Sequence, residues 1–394
     1  MHVLSINSGS SSVKFALYPI QNNVRCSAQL SGIVNISNRT SHAQITIYQN
    51  KVVSTSSFEI NTENSLSDAI NFLGNYIRTH LSEYEIDAIS HRVVHGGSKY
   101  KNSVLINQEI LEELTLLEPL APLHQPFNLQ GIRLFQKIFP NKKQVACFDT
   151  GFHQDLSQVE FEYPLSKEVR DLGVRRYGFH GLSYRYVLGI LQEKSSLSNL
   201  KGVLAHIGSG TSICAVNHGK SCATSMGFST LDGLMMGSRS GQIDPGILLF
   251  LMENGWTHDQ IKKSLYKESG LLGLSGYSSD IRELRKRNNP EDQLALKIFT
   301  LQLVRHIGAF TANLNGLNFL AFTGGIGEHD HVLRADICAN LSFLNIQIDQ
   351  SLNIEASLSG NPTLISSTKS AIEIWVIPTD EGYITAQDAA ELLS

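Results

Sequence analysis

The feature that most constrains the fold of this chain is a strand–turn–strand pattern that occurs twice. Residues 3–17 are VLSINSGSSSVKFAL and residues 203–216 are VLAHIGSGTSICAV, so in each segment two apolar runs flank a turn of small residues. This composition predicts tight hairpins at a sheet end. Gly9 tolerates a positive φ, and the serine hydroxyls and backbone N–H groups can surround an anion. An ordinary hairpin is the simpler interpretation of these residues alone.

A second pair of segments supports a division into two lobes. QVACFDTGFH, from Gln144, and FLAFTGGIGE, from Phe319, are each a buried-type strand that ends in a small polar turn. The recurrence is too long for a solenoid repeat, and 394 residues exceed one ordinary core. We expect two similar lobes with a cleft between them. The predicted N-terminal lobe is 1–150, with a C-terminal helix 383–394 packed back on it, and the predicted C-terminal lobe is 151–382.

Helical patterns alternate with the predicted strands. The residues that form one apolar helical face are Leu66, Ala69, Ile70, Leu73 and Ile77. A longer helix is predicted over 291–315, and EIDAISHRVVHGG, from Glu85, predicts a buried strand that ends in a Gly-Gly turn. Alternation of this kind predicts an α/β fold with parallel strands, in which ligands bind beyond the carboxyl ends of the strands.

Composition argues against several classes of function. The net charge is −4 and lysine and arginine form no extended run, so nothing indicates binding to nucleic acid or to an anionic membrane. No stretch approaches the ~18 consecutive apolar residues of a membrane span. The first lysine or arginine is Lys14, so the N-terminal segment lacks the basic start that is typical of a signal peptide. The five cysteines are scattered along the chain and show no C-x-x-C spacing, which argues against a disulfide framework and against a zinc site. We therefore expect a cytoplasmic protein.

Polar residues concentrate in glycine-rich segments at predicted strand ends. They are Asn7 beside the serine turn, Arg92 in HRVVHGG, Asp149 in FDTGFH, His180 in RRYGFHG and Arg239 in MMGSRSGQIDP. Taken singly, each arginine could form a surface ion pair and the histidine could be structural. Together they favour a site, because both arginines lie beside glycines, where backbone can approach a ligand and a guanidinium can bind an anion in a bidentate manner.

These residue types favour transfer of a group that is itself anionic. The segments show no Ser-His or Cys-His pattern of a nucleophilic enzyme. Phosphoryl transfer fits best, because its catalysis depends mainly on positioning and on neutralising charge on the phosphoryl oxygens. The sequence lacks both the P-loop pattern GxxxxGK[ST] and the HRD pattern of protein kinases, so neither of those kinase classes is indicated.

Seven segments in order resemble the acetokinase family of short-chain carboxylate kinases, within the acetate and sugar kinase, heat-shock protein 70 and actin superfamily. They are INSGSSSVKF, HRVVHGG, PLAPLHQP, RRYGFHG, SMGFSTLDGLMMGSRSGQIDPG, FTGGIGE and VIPTDEG. The resemblance spans nearly the whole chain. It implies a duplicated RNase H-like fold, a homodimer, and reversible transfer of the γ-phosphoryl group of ATP to acetate, giving acetyl phosphate and ADP. It also implies Mg²⁺, with Mn²⁺ as the alternative ion.

The resemblance assigns roles by position. The implied catalytic residues are Arg92, Asp149, His180 and Arg239. The implied acetate-binding residues are Arg92, Val94, Leu123, His124 and Phe179, and the implied metal ligands are Asn7 and Glu381. The implied nucleotide-binding residues are Lys14, His206, Ile207, Gly208, Ser209, Gly210, Asp280, Ile281, Arg282, Gly324, Gly325, Ile326, Gly327 and Glu328. Both 206–210 and 324–328 are expected to be loops around the phosphates. Acetate is already ionised at pH 7, so its attack needs no general base.

Three departures from the family pattern leave alternatives open. HIGSG has Ser209 where the family usually has asparagine, so a donor such as pyrophosphate stays an alternative to ATP. GFSTLDG has Thr230 in place of a proline near the acyl pocket, so the preference for acetate or propionate as the substrate stays open. GFHGLSY has Leu182 and Tyr184 where threonine and histidine are usual, from which we expect altered packing but intact chemistry. The alternative functions are a propionate kinase and a non-catalytic ATP-binding regulator.

Overall fold

The computed structural model describes residues 1–394 except 22–23, 37–41, 50–51, 62, 64 and 82–83. The chain divides into two compact units. Unit 1 comprises Met1–Gln154 and Asp380–Ser394, and unit 2 comprises Asp155–Thr379.

Unit 1 begins with a run of antiparallel strands and continues with alternating helices and strands. Its elements up to residue 148 are β1 (His2–Ser8), β2 (Ser12–Pro19), β3 (Leu30–Ile36), β4 (His42–Gln49), β5 (Val52–Glu59), α1 (Ser65–His80), β6 (Ile86–Val93), β7 (Val104–Leu105), α2 (Gln108–Thr115), α3 (Gln125–Ile138) and β8 (Lys143–Phe148). They form a sheet of order β5-β4-β3-β2-β1-β6-β8-β7, in which β1 is antiparallel to β2 and parallel to β6, and β6 is parallel to β8.

Unit 2 surrounds a second mixed sheet with helices. Its elements are α4 (Gln158–Phe161), α5 (Lys167–Asp171), α6 (Gly181–Lys194), β9 (Gly202–Ile207), β10 (Thr211–Asn217), β11 (Lys220–Thr224), α7 (Gly246–Glu253), α8 (His258–Lys267), α9 (Gly270–Ser275), α10 (Ile281–Arg287), α11 (Pro290–Asn313), β12 (Phe319–Thr323), α12 (Gly324–His329), α13 (His331–Asn340), α14 (Gln350–Ser359), β13 (Thr363–Leu364) and β14 (Glu373–Val376). The strand order is β11-β10-β9-β12-β14-β13. The chain then returns to unit 1 with α15 (Glu381–Leu393).

The two sheets share one topology. In unit 1 the strands β3-β2-β1-β6-β8, and in unit 2 the strands β11-β10-β9-β12-β14, follow each other with the same directions: two antiparallel pairings and then two parallel ones. In each unit the predicted hairpin supplies the second and third strands of this order. The predicted duplicated RNase H-like fold and both hairpins are therefore confirmed.

The helical periodicity is confirmed as well. In α1, all five residues of the predicted apolar face are buried, and they pack into the apolar core of unit 1. The predicted long helix is α11, which begins with a capping box between Asn289 and Asp292 and with Pro290 in its first turn. In the described part of the chain, no helix combines the length and the apolar character needed to cross a membrane.

Candidate active site

In unit 1, Arg92 lies between two carboxylates. Its Nε and Nη2 donate to Asp149 Oδ1 and Oδ2 at 2.9 and 2.6 Å, and its Nη1 lies 3.2 Å from Glu381 Oε2. Burial alone would lower the pKa of Arg92, but Asp149 and Glu381 outweigh it and raise the pKa, so the guanidinium stays charged. The side chain of Asp149 is 1% exposed and that of Arg92 is 20% exposed, so part of the Arg92 side chain remains accessible.

Glu381 is the first residue of α15, and its side chain is 19% exposed. Burial raises its pKa above the usual value, while the charges of Arg92 and Lys14 lower it and those of Asp149 and Asp380 raise it further. A cation beside Glu381 would therefore favour its ionised form.

Three buried hydroxyls hold α15 against the sheet. Thr385 Oγ1 lies 2.7 Å from Ser5 Oγ in β1 and accepts from Ser90 Oγ in β6 at 3.0 Å. Glu381 precedes Thr385 by one helical turn, and Arg92 follows Ser90 by two strand residues on the same face. The packing that joins Thr385 to Ser90 therefore also brings Glu381 to Arg92. We call Ser5, Ser90 and Thr385 the hydroxyl cluster.

The register of the sheet places Asn7 beside this group. Ser5 is level with Ser90 in the parallel pairing of β1 and β6, so Asn7, two residues further, lies on the same face and level with Arg92. Lys14 is directly opposite Asn7 on β2. At this edge of unit 1 the structure brings together Asn7, Lys14, Arg92, Asp149 and Glu381.

The residues implied for the acyl pocket are distributed over both units. Val94 directly follows β6 and is 6% exposed, and its N–H donates to Asn128 Oδ1 at 3.0 Å. Leu123 and His124 precede α3 and are half-buried. Phe179 belongs to unit 2, where it is 1% exposed.

In unit 2, His180 is held in an unusual backbone conformation. It caps α6 with φ of 60°, in the left-handed region. Its ring stacks on that of His206, with centroids 4.2 Å apart and planes at 17°. Its Nδ1 lies 2.8 Å from Ser212 Oγ, and a Cβ built on Gly210 would lie 3.2 Å from its Nε2. The second ring nitrogen is thus directed at the turn between β9 and β10.

Arg239 differs from Arg92 in the partners of its guanidinium. Its Nη1 donates to Thr230 O at 3.1 Å and contacts Met236 Sδ at 3.6 Å. Among the described residues, no carboxylate lies within ion-pair distance of its guanidinium. Burial lowers the pKa of Arg239, because the charged form has lost water without gaining a counter-ion. An anionic ligand would supply the missing charge.

Two of the predicted phosphate-binding segments are adjacent in unit 2. The turn 208–210 is closed by the N–H of Gly208, which donates to Gly210 O at 3.1 Å. Gly324 has φ of 77°, and a Cβ on it would lie 2.8 Å from Ile207 O. Only glycine fits this close approach, since the position needs both a positive φ and the absence of a side chain.

The prediction that 324–328 forms a loop is wrong, and the loop predicted over 206–210 is limited to 208–210, because His206 and Ile207 are the last two residues of β9. Residues 324–328 are the first five of the short helix α12, whose turn satisfies backbone groups that a loop would leave open. Glu328 Oε1 accepts from the N–H groups of Gly324 and Thr379 at 2.9 and 3.1 Å, and burial raises its pKa. Its carboxylate therefore holds the start of the helix.

The segment implied for adenosine is the N-terminus of α10. Asp280 caps this helix by accepting from Arg282 N at 2.8 Å, and the Arg282 guanidinium, with its side chain 90% exposed, pairs with the same carboxylate. Ile281 is buried at 4% exposed.

Sequence reasoning missed two groups that support these residues. One is the hydroxyl cluster, for which the only signal was the four-residue spacing between Glu381 and Thr385, and the predicted helix began only at residue 383. The other is Arg334, whose guanidinium is fully buried and donates to the carbonyls of Gly327 and Glu328, both at 2.8 Å. A cation at the end of a short helix complements its carbonyl charge, so Arg334 stabilises α12.

Comparison with known proteins identifies the family. A model of the Acetokinase family matches residues 2–387. The chain belongs to the acetokinase family. It is 41% identical to the acetate kinase of Rhodopseudomonas palustris over 98% of this chain and 96% of that protein, and 39% identical to the acetate kinase of Thermotoga maritima over 100% and 99%. The resemblance inferred from the seven motifs is confirmed.

Solved structures agree with the acetokinase assignment. The crystal structure of Porphyromonas gingivalis acetate kinase is 35% identical, with a TM-score of 0.89 and 100% coverage of both chains. A propionate kinase from Francisella tularensis is 36% identical, with a TM-score of 0.90 and 98% coverage of both chains.

The departures from the acetokinase pattern lie close to the implied functional residues. Ser209 is exposed at the tip of the turn 208–210. Thr230 is half-buried, and its carbonyl is the acceptor for Arg239. Leu182 and Tyr184 are 1% and 0% exposed, so both are core residues of α6 beneath His180.

Proposed function

We propose that this acetokinase transfers the γ-phosphoryl group of ATP to acetate, giving acetyl phosphate and ADP, and that the reaction is reversible. The observation that carries the proposal is Arg239, a half-buried guanidinium whose described partners are a carbonyl and a sulfur atom. Burying a charge without a counter-ion is costly, so such a residue is expected where an anion binds. Arg239 would bind the phosphoryl group during transfer, where charge spreads over its oxygens.

Arg92 would orient the acetate carboxylate. Asp149 and Glu381 occupy three of its nitrogens, and a guanidinium carries five N–H groups, so N–H groups remain for an anion at its accessible side. The two carboxylates also fix the plane of the guanidinium, which limits the entropy lost when the substrate binds. Asp149 would hold Arg92 in this position without contacting the substrate.

The donor set of unit 1 fits Mg²⁺, with Mn²⁺ as the alternative. Asn7 and Glu381 offer an amide and a carboxylate oxygen, the hard donors that Mg²⁺ prefers. Among the described residues, no group of three or more His, Cys, Asp and Glu side chains could hold a metal. Mg²⁺ is usually bound by one or two carboxylates together with substrate phosphates and water, so this set suffices. When bound, the ion would neutralise phosphate charge, and Asn7 and Glu381 would hold it.

His180 would donate from Nε2 to an oxygen of the transferred group, and the segment 206–210 and the start of α12 would bind the nucleotide phosphates. The support is the direction of Nε2 toward Gly210 and the contact of Gly324 with the end of β9. Lys14, Asp280, Ile281 and Arg282 are proposed contacts of the nucleotide on the family pattern.

The experiment that tests the function is a hydroxamate assay for acetyl phosphate with ATP, Mg²⁺ and acetate. We expect turnover by the wild-type chain and a kcat lower by roughly 100-fold or more in Arg239→Ala, the scale for loss of one transition-state donor. Arg305→Ala, at an exposed position of α11, is the matched control and should retain activity. Tight binding of ATP without any acetyl phosphate would support a regulator instead.

Propionate kinase is the second candidate, and Thr230 is the observation that favours it. Its carbonyl accepts from Arg239, and its threonine side chain stands where the family pattern has proline, which changes the polarity and shape of the acyl pocket. Comparison of kcat/KM for acetate and propionate, in the wild-type chain and in Thr230→Pro, decides between them. The phosphoryl donor is tested by comparing kcat/KM for ATP, GTP and pyrophosphate. The comparison is made in the wild-type chain and in Ser209→Asn, which restores the usual family residue.

The proposed assembly is a homodimer, in which a second copy covers α7. Ile247, Leu249, Phe250 and Met252 of this helix are 44%, 63%, 62% and 60% exposed, an unusual density of apolar surface. Light scattering should give twice the chain mass for the wild type and a monomer for Phe250→Glu. A monomeric wild type would contradict the proposal. A cytoplasmic location stays a prediction.

A further inference from the structure

Three side chains, including that of His180, are joined by hydrogen bonds in unit 2. The hydroxyl of Tyr184, in α6, bonds to Ser212 Oγ, in β10, and Ser212 Oγ lies 2.8 Å from His180 Nδ1. Tyr184 and Ser212 are both 0% exposed. Tyr184 departs from the family pattern, which usually has histidine at this position, and the proposed reaction does not use it.

The acidity of the groups sets the direction of the two hydrogen bonds. A phenol is more acidic than an aliphatic alcohol, so it is the better donor, and the serine oxygen is the better acceptor. Burial raises the pKa of Tyr184 well above 10, so its hydroxyl keeps its proton. Tyr184 therefore donates to Ser212. A serine hydroxyl has one proton, which it then donates to His180 Nδ1.

The state of His180 follows from this direction. A ring nitrogen that accepts a hydrogen bond carries no proton, so the proton of the neutral imidazole lies on Nε2. Nε2 is the nitrogen that points at Gly210. The stacking on His206 fixes the plane of the ring, and His206 has its own partner, Ser183 Oγ at 2.9 Å from Nδ1. The reverse tautomer would present a lone pair, instead of an N–H group, toward the turn 208–210.

We propose that Tyr184 and Ser212 are positioning residues that hold neutral His180 in the tautomer with its proton on Nε2, so that this nitrogen donates a hydrogen bond to the transferred phosphoryl group. The last step rests on the proposed phosphoryl transfer. The tautomer itself depends only on the contacts within unit 2.

The tautomer can be measured directly by long-range ¹H–¹⁵N correlation spectra of the full chain labelled with [¹⁵N]histidine, with His180 assigned from its absence in His180→Gln. We expect the wild type to show protonated Nε2 and bare Nδ1. In Tyr184→Phe, which keeps the ring and removes the donor, the ratio of the two tautomers should shift by about five-fold toward protonated Nδ1, the size expected for one lost hydrogen bond. Ser183→Ala, which removes the partner of His206 instead, should leave His180 unchanged.

A second variant separates positioning from packing. Tyr184→His retains an N–H donor at this position, so we expect it to keep the wild-type tautomer and most of the wild-type kcat. Tyr184→Phe should lower kcat several-fold, with smaller changes in KM for ATP and acetate. Protonated Nδ1 in the wild type, or equal tautomer ratios in the wild type and Tyr184→Phe, would overturn the proposal. Because the spectra need no substrate, an inactive wild-type chain would count against the proposed function alone.

Discussion

Replacement of Thr385 by valine should destabilise unit 1 although it keeps the shape of the side chain. Thr385 is 1% exposed, and its hydroxyl contacts Ser5 at 2.7 Å and Ser90 at 3.0 Å and donates to Gly382 O at 2.9 Å. In Thr385→Val the hydroxyls of Ser5 and Ser90 both lose this partner. A buried polar group left without a partner costs about 1–3 kcal/mol. Since Ser5 and Ser90 are neighbours in the sheet and can bond to each other, we expect a net loss of about 2 kcal/mol.

Hydrogen exchange in peptides of α15 measures this loss, because it reports the local opening free energy of the helix. The control is the triple variant Ser5→Ala, Ser90→Ala and Thr385→Val, which removes all three hydroxyls and leaves none unpaired. We expect it to be more stable than Thr385→Val alone, since deletion of both partners costs less than deletion of one. A single variant as protected as the wild type, or a triple variant less protected than the single, would refute the reasoning about the hydroxyl cluster.

Three other predictions concern buried groups and glycines. Burial lowers the pKa of His91 to about 4 despite its bond to Gln144, so between about pH 6.5 and 4 the unfolded chain binds more protons. The free energy of unfolding should therefore decrease as the pH is lowered from about 6.5 to 4. Equal urea midpoints at pH 7 and pH 5 would contradict this prediction. Gly210→Ala places a methyl 3.2 Å from His180 Nε2 and should lower kcat without changing the melting temperature. Gly308→Ala, in open space within α11, should raise the free energy of unfolding by about 0.5–1 kcal/mol and leave kcat unchanged.

The local elements of the fold could be predicted because their signals lie in neighbouring residues. The apolar face of α1 repeats at helical spacing, and both hairpins combine alternating apolar runs with turns of glycine and serine. The loop predicted at 324–328 was wrong for a related reason. A glycine-rich segment favours a turn locally, whereas buried contacts from Glu328 and Arg334 stabilise it as a helix.

The candidate residues could be named from the sequence, but their partners could not. Arg92 and Arg239 stand in similar glycine-rich contexts, and only the structure shows that Arg92 has two carboxylate partners while the described contacts of Arg239 are a carbonyl and a sulfur atom. The position of Tyr184 beneath His180 depends on the packing of α6 against the sheet, which the motif does not record.

By itself, the sequence determined the duplicated topology, the periodic elements and the family, because each rests on residues close together in the chain or on ordered motifs. The tertiary structure decided the electrostatic environment of every candidate residue. Ser5 and Thr385 meet although they are 380 residues apart, and that contact brings Glu381 to Arg92. Burial and charge pairing are sums over groups from distant segments, so they exist only once the sheet and its helices have packed.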